Sequence, residues 1–171
     1  MPKSLFLAHF QNNVAYYLEE LLVKRWELDN LDVYTEDSYI TGSFDGIIDL
    51  TIYNEALPNY IIGLEIEHLS SHRQAIKNIE KLKKWAHNSP LRRAGLLHIL
   101  NERCYIGFNK LNELLSFAKE FEKRNMGFYY DYVFYNVKDE RETRKTAENL
   151  VNSLDFQARL MMLLKNVGLV E

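Results

Sequence analysis

Apolar positions in this chain recur at two spacings, and the switches between them divide it into elements. From Ser4 to Trp26 the residues Leu7, Phe10, Val14, Tyr17, Leu18, Leu21 and Leu22 return every three or four positions. That spacing predicts a helix with one buried side, and Ser4 stands where an N-cap belongs. Leu31 to Tyr34 and Ser38 to Ser43 are short strand candidates around a Thr35-Glu36-Asp37 turn. Two apolar runs follow, Gly46 to Tyr53 and Tyr60 to His68. The segment Asn54-Glu55-Ala56-Leu57-Pro58-Asn59 joins them, and its Asn and Pro favour chain reversal.

A helix starting near Ser70 or Ser71 carries the stripe Ala75, Ile76, Ile79, Leu82 and Ala86, while Gln74, Asn78, Lys81 and Trp85 run along another line. Gly95 to Leu100 is a short apolar strand, expected parallel to Tyr60–Glu67 because a helix crossover separates them. Asn109 to Arg124 reads as a helix with Leu111, Leu114, Leu115, Ala118 and Phe121 inward. Gly127 to Val137 is aromatic and strand-like, and Lys138 to Lys165 is helical with a break near Asn152-Ser153. The order predicts an α/β fold: a mixed central sheet flanked by helices, αβββαβ with α, β and α additions. One domain spans residues 1–171, its core 4–108 and its C-terminal extension 109–171.

Acidic residues interrupt the two central strands at regular positions. Alternation puts Asp45, Asp49 and Thr51 on one face of the first, and Gly63, Glu65 and Glu67 on one face of the second. Ile48, Leu50 and Ile52, with Ile62, Leu64 and Ile66, would form the opposite, buried face. Like charges on neighbouring strands repel, so stability alone would not gather them there. Asp45, bracketed by Gly42 and Gly46, is either a further ligand or a turn residue.

Asp49, then Glu65-Ile66-Glu67, then a helix with Gln74, Lys77 and Lys81, resembles the PD-(D/E)XK nuclease superfamily, the restriction-endonuclease-like fold. In that family an Asp on one strand and a D/E-x-K on the next bind a divalent metal, and the following helix often adds Gln or Lys. The resemblance is close over the 44 residues from Gly42 to Trp85. It departs from the family where Glu67 takes the lysine's place, as in the E-x-E seen in some restriction enzymes of this fold. It implies a nuclease acting on DNA with Mg²⁺ or Mn²⁺ held by Asp49, Glu65 and the Ile66 carbonyl. Glu67 would bind metal or orient the attacking water, Lys77 or Lys81 would stand in for the lysine, and Gln74 would position water or phosphate. It also implies a homodimer as one working assembly, since double-strand cutters of this type often pair. In some such enzymes the first helix donates another acid, here Glu20; the plainer reading pairs Glu20 with Lys24.

Composition narrows this without deciding it. The 171 residues carry a formal charge of −3, so no overall basicity announces nucleic acid, yet Lys77, Lys81, Lys83, Lys84, Arg92 and Arg93 cluster after the acidic strands. The single cysteine, Cys104, excludes an internal disulfide framework. No run approaches the roughly 18 apolar residues of a membrane span, and no signal-peptide pattern opens the chain. The expectation is a cytoplasmic protein with no membrane partner. Two rivals stay open: a protein of the same fold that binds nucleic acid or assembles without catalysis, and a different metal hydrolase using Glu67, His68 and His72. Zinc sites usually add cysteines or further histidines, which this chain does not place nearby. The aromatics Phe128, Tyr129, Tyr130, Tyr132, Phe134 and Tyr135 could stack on bases, but at strand spacing they read as core.

Overall fold

The computed structural model describes residues 4–37, 47–69, 71–88, 93–105 and 108–171, with only the backbone of residues 37, 83–88 and 108. The Ser38–Ser43 strand, Asp45 between its two glycines, Ser70 and Arg92 therefore lie outside the described residues, as do the side chains of Lys83, Lys84 and Trp85.

Helix α1 (Leu5–Glu19) begins as expected at Ser4, whose Oγ accepts the Leu7 amide at 3.2 Å. It buries Phe6, Phe10, Val14 and Leu18, and then widens into a π-helical segment, Glu20–Arg25. There the Trp26 amide reaches back five residues to the Leu21 carbonyl, at 2.9 Å. Leu21 and Leu22 are both buried, as their spacing predicts, but the π-helical widening that carries them is not announced by spacing. Glu20 pairs with Lys24 at 2.5 Å, the plainer of its two readings.

Strand β1 (Asp32–Asp37) runs through the expected Thr35-Glu36-Asp37 turn and pairs antiparallel with β2 (Ile48–Tyr53) from Asp32↔Tyr53 to Asp37↔Ile48. Thr35 and Glu36 read as turn residues because they are polar, but they are polar because they are exposed on an edge strand. The local conformation is distorted at Glu36, whose φ is 48°. β3 (Tyr60–Glu67) pairs antiparallel with β2 and parallel with β4 (Arg93–Asn101), and β5 (Phe128–Tyr135) pairs parallel with β4. The strand order is β1-β2-β3-β4-β5. Helix α2 (His72–Asn88) makes the β3-to-β4 crossover and α3 (Phe108–Arg124) the β4-to-β5 one. A 3₁₀ turn, Glu102–Cys104, follows β4. Two helices close the chain, α4 (Thr143–Asn152) and α5 (Leu154–Val167).

The sheet is buried on both faces, which is why its central strands are apolar apart from a few polar positions. On one face α1, α4 and α5 cover Leu50, Ile52, Ile62, Leu64, Ile66, Leu97, Ile99 and Val133. On the other, α2 and α3 cover Ile61, Ala94, Leu96, Leu100 and Phe128. Ile48 joins this second cluster instead of following Leu50 and Ile52, so strict alternation fails at the start of β2. The break near Asn152-Ser153 is where expected: the Ser153 Oγ accepts the Phe156 amide at 3.2 Å and donates to the Leu150 carbonyl at 2.7 Å. Gly168, at φ 88°, ends α5 in the left-handed conformation that favours glycine. No helix among the described residues is long and apolar enough to cross a membrane.

The C-terminal helices are part of the main core. Phe156, Leu160, Leu164 and Val167 are fully buried in the same cluster as α1 and the central strands. Phe156→Ala should therefore cost about 3–5 kcal/mol in urea unfolding, the usual loss for deleting a buried ring. A loss below roughly 1 kcal/mol, as at an exposed position, would make the helix pair a mere appendage.

Candidate active site

Helix α2 reaches two of the acids, Lys81 bonding Glu65 and Asn78 bonding Glu67. Glu65 and Glu67 share the sheet face of Ile61, and on β4 the partner of Glu65 is His98. Antiparallel pairing between β2 and β3 ends at Leu50↔Leu64. At the next residue the Asp49 Oδ2 accepts the Ile66 amide at 2.9 Å, while Gln11 of α1 donates to the Asp49 carbonyl at 3.1 Å. Asp49 is thus fixed through its side chain by β3 and through its backbone by the first helix. Asp49, Glu65 and Glu67 are all buried.

Asp49 and Glu65 stand close enough for the charge of one to act on the other. Burial first, and then the Asp49 charge, push the Glu65 carboxyl well above its ordinary range, while Lys81 pulls it back. The Lys81 ammonium lies 3.2 Å from the Glu65 Oε1 and 3.2 Å from the Ile47 carbonyl oxygen. Its side chain remains 26% exposed, so this cation joins the buried pair to solvent.

Glu67 takes different partners. Its Oε1 accepts from the Asn78 side chain, whose own Oδ1 accepts from Gln74 at 3.4 Å. The line Gln74, Asn78, Lys81 seen in the sequence is therefore the line that addresses the carboxylates. Lys77 is exposed on α2, leaving Lys81 as the lysine brought to Glu65. Among the described residues, no group of three or more His, Cys, Asp or Glu side chains is gathered as a metal cage. Glu67 is turned towards Asn78 and His98.

His68 and His72 have separate structural partners. The His68 ring stacks on Phe6 with centroids 4.2 Å apart, its Nδ1 is 2.8 Å from the Tyr135 hydroxyl, and its carbonyl accepts from Asn101 and Cys104. Burial lowers its pKa, against an opposing pull from Glu140. His72 pairs with Glu113 of α3 at 2.8 Å.

Sequence reasoning missed His98 and Tyr130. The His98 Nδ1 lies 2.8 Å from the Tyr130 hydroxyl, and its Nε2 stands 3.7 Å from the Glu67 Oε1 without a hydrogen-bond partner. Burial, then the Lys81 charge, lower the His98 pKa to about 3, so the ring is neutral. Burial likewise holds the Tyr130 hydroxyl well above its ordinary range, so it keeps its proton. One signal was available: His98 is the one ionisable residue in Gly95–Leu100.

The raised Glu65 pKa sets a pH dependence. The folded state holds the Glu65 proton more tightly than the unfolded chain, so this contribution is complete below about pH 4.5 and is lost as pH rises. Glu65→Gln should remove that loss, and its stability difference from the wild type should move in its favour as pH increases. Urea unfolding of both metal-free proteins from pH 4 to 8 measures it; parallel curves would mean that the pair carries no such strain.

No known protein family matches the chain, and no curated protein matches it. Among solved structures it is similar to Pyrococcus furiosus SfsA in complex with Ca²⁺, at a TM-score of 0.40 and 16% identity. The match covers 74% of this chain and 58% of that one, so this chain spans less than two thirds of the length of SfsA.

Proposed function

We propose that the chain is a metal-dependent nuclease that hydrolyses DNA phosphodiester bonds, with Asp49 and Glu65 as its cation ligands. The observation that carries this reading is two buried acids whose charges act on each other, Asp49 held by the Ile66 amide and Glu65 lying 3.2 Å from Lys81. The donor set fits a hard cation, since Mg²⁺ is usually held by one or two carboxylates plus phosphate oxygens and water. Mg²⁺ or Mn²⁺ bound there would offset phosphate charge and lower the pKa of a water. The chain's own groups supply the rest. Lys81, partly exposed beside Glu65, is placed to donate to a phosphate oxygen as charge develops in the transition state. Gln74, exposed at the start of α2, contacts water or phosphate, and Glu67, fixed by Asn78, accepts the proton of the attacking water. Lys77, exposed on α2, adds positive charge on the same helix.

A second reading has one observation in its favour. Lys81 already neutralises Glu65 from within, and Glu67 occupies the motif lysine's position, as in a protein that keeps the fold and binds nucleic acid without cutting it.

Metal titration separates the two. A cation that binds only the folded state raises stability by RT ln(1 + [L]/Kd), roughly 2.7 kcal/mol at a hundredfold excess over Kd. Millimolar Mg²⁺ or Mn²⁺ should stabilise the wild type but neither Asp49→Asn nor Glu65→Gln, and both variants should lose cleavage of plasmid or oligonucleotide DNA. Lys81→Met should cut the rate by roughly a hundredfold or more, as expected for losing one transition-state donor, while Lys77→Met should retain it. A wild type indifferent to both cations would leave only the non-catalytic reading. Both readings require affinity for DNA that falls steeply between about 50 and 200 mM salt; salt-independent binding would remove both.

A further inference from the structure

The buried polar groups behind Glu67 form a chain that the proposed nuclease reading does not use. Tyr130 on β5, His98 on β4 and Glu67 on β3 stand on three consecutive strands and the same face of the sheet. The Tyr130 hydroxyl lies 2.8 Å from the His98 Nδ1, and the opposite ring nitrogen lies 3.7 Å from the Glu67 Oε1. His98 is 0% exposed, and its Nε2 is among the buried side-chain atoms without a hydrogen-bond partner. A neutral imidazole has one N–H and one lone pair, so the Nδ1 contact decides which of them faces Glu67. A lone pair facing a carboxylate oxygen inside the protein would repel it, whereas an N–H would attract it.

We propose that Tyr130 and His98 are positioning residues for Glu67: Tyr130 donates to the His98 Nδ1, placing the imidazole proton on Nε2, where it is aimed at the Glu67 Oε1. The 3.7 Å separation is longer than a hydrogen bond, and a sub-ångström movement of the Glu67 carboxylate closes it. Such contacts commonly tighten only in the reacting complex. Asn78 addresses the same oxygen from α2, so Oε1 is approached by a donor from the helix and a donor from the sheet. Both donors are uncharged. In E-x-E chains of this kind, Glu67 can then be oriented from behind by neutral groups while Lys81 supplies positive charge from above. The catalytic part of this proposal rests on the nuclease reading; the tautomer does not.

Nitrogen NMR of protein labelled with ¹⁵N-histidine tests the tautomer without any activity. His98, identified by the signals lost in His98→Gln, should show a protonated Nε2 and an unprotonated Nδ1, and Tyr130→Phe should redistribute the proton between them. A proton resident on Nδ1 in the wild type overturns the proposal. For catalysis, His98→Gln retains an N–H at the Nε2 position and should keep most of kcat. His98→Leu should lose roughly ten- to a hundredfold in kcat, the usual cost of a lost orienting partner, with KM unchanged. Equal losses in both variants, or a loss only in KM, would overturn the positioning role. Should the wild type cleave nothing, the nuclease reading fails and the NMR result alone decides the tautomer.

Discussion

Burying carboxylates on the inner face of a sheet is the constraint on which this architecture turns. A charged carboxylate removed from water is costly unless it is paired, hydrogen-bonded or neutralised by a proton. Each of the three acids here meets that cost differently. Asp49 takes the Ile66 amide, Glu65 takes Lys81, and Glu67 takes Asn78. Two of these partners come from one helix, four and seven residues after Gln74, so the rotation of α2 on the sheet is fixed by polar contacts as well as by Ala75, Ile79 and Leu82. A slip of α2 by one residue would leave Glu65 and Glu67 buried without their donors.

The rest of the fold supports that polar face from the opposite side. The larger apolar cluster joins α1, α4 and α5 to the same strands, and its residues carry no comparable electrostatic cost. The two faces are joined at Asp49, whose backbone accepts from Gln11 of α1 while its side chain accepts the Ile66 amide between Glu65 and Glu67. His68 joins the ends of α1, β3 and β5 by stacking on Phe6 and bonding Tyr135. The outer edge of β5 is also managed: the Tyr130 amide donates to Glu122 at 2.5 Å and the Tyr132 amide to Asp131 at 2.8 Å. Edge amides bound by side chains are poor templates for another strand.

Much of this was legible because local pattern and global position agree. The helix cap at Ser4, the parallel placement of Gly95–Leu100 and the break before α5 each follow from a local signal. The expected turn at Thr35-Glu36-Asp37 failed because polarity was taken for turn chemistry, although an edge strand is polar for its own reason. The pairing of Asp49 with Glu65 was legible from alternation, since both interrupt apolar strands on one face. The partner lysine was legible only as Lys77 or Lys81, because helix spacing places both near the hairpin and only the rotation of α2 selects one. His98 was hidden, since its place beside Glu65 is a register between strands 33 positions apart, which no local pattern encodes.

The arrangement of the acids is what supports the proposed cation site. A sheet that needed Asp49 and Glu65 only for stability could relieve them by one substitution to an amide, which would keep a hydrogen bond and remove the repulsion. Instead burial and the neighbouring charge both work against the ionised Glu65, and one partly exposed lysine offsets them. Strain of this kind persists where a ligand relieves it, and perturbed acids cluster at functional sites for that reason. Glu67 differs in kind: Asn78 already satisfies its Oε1, and a neutral imidazole stands behind it. The three acids therefore divide into a pair under electrostatic stress and a third that is held in place. That division is what a site would need if two carboxylates were to bind a cation and the third were to accept a proton.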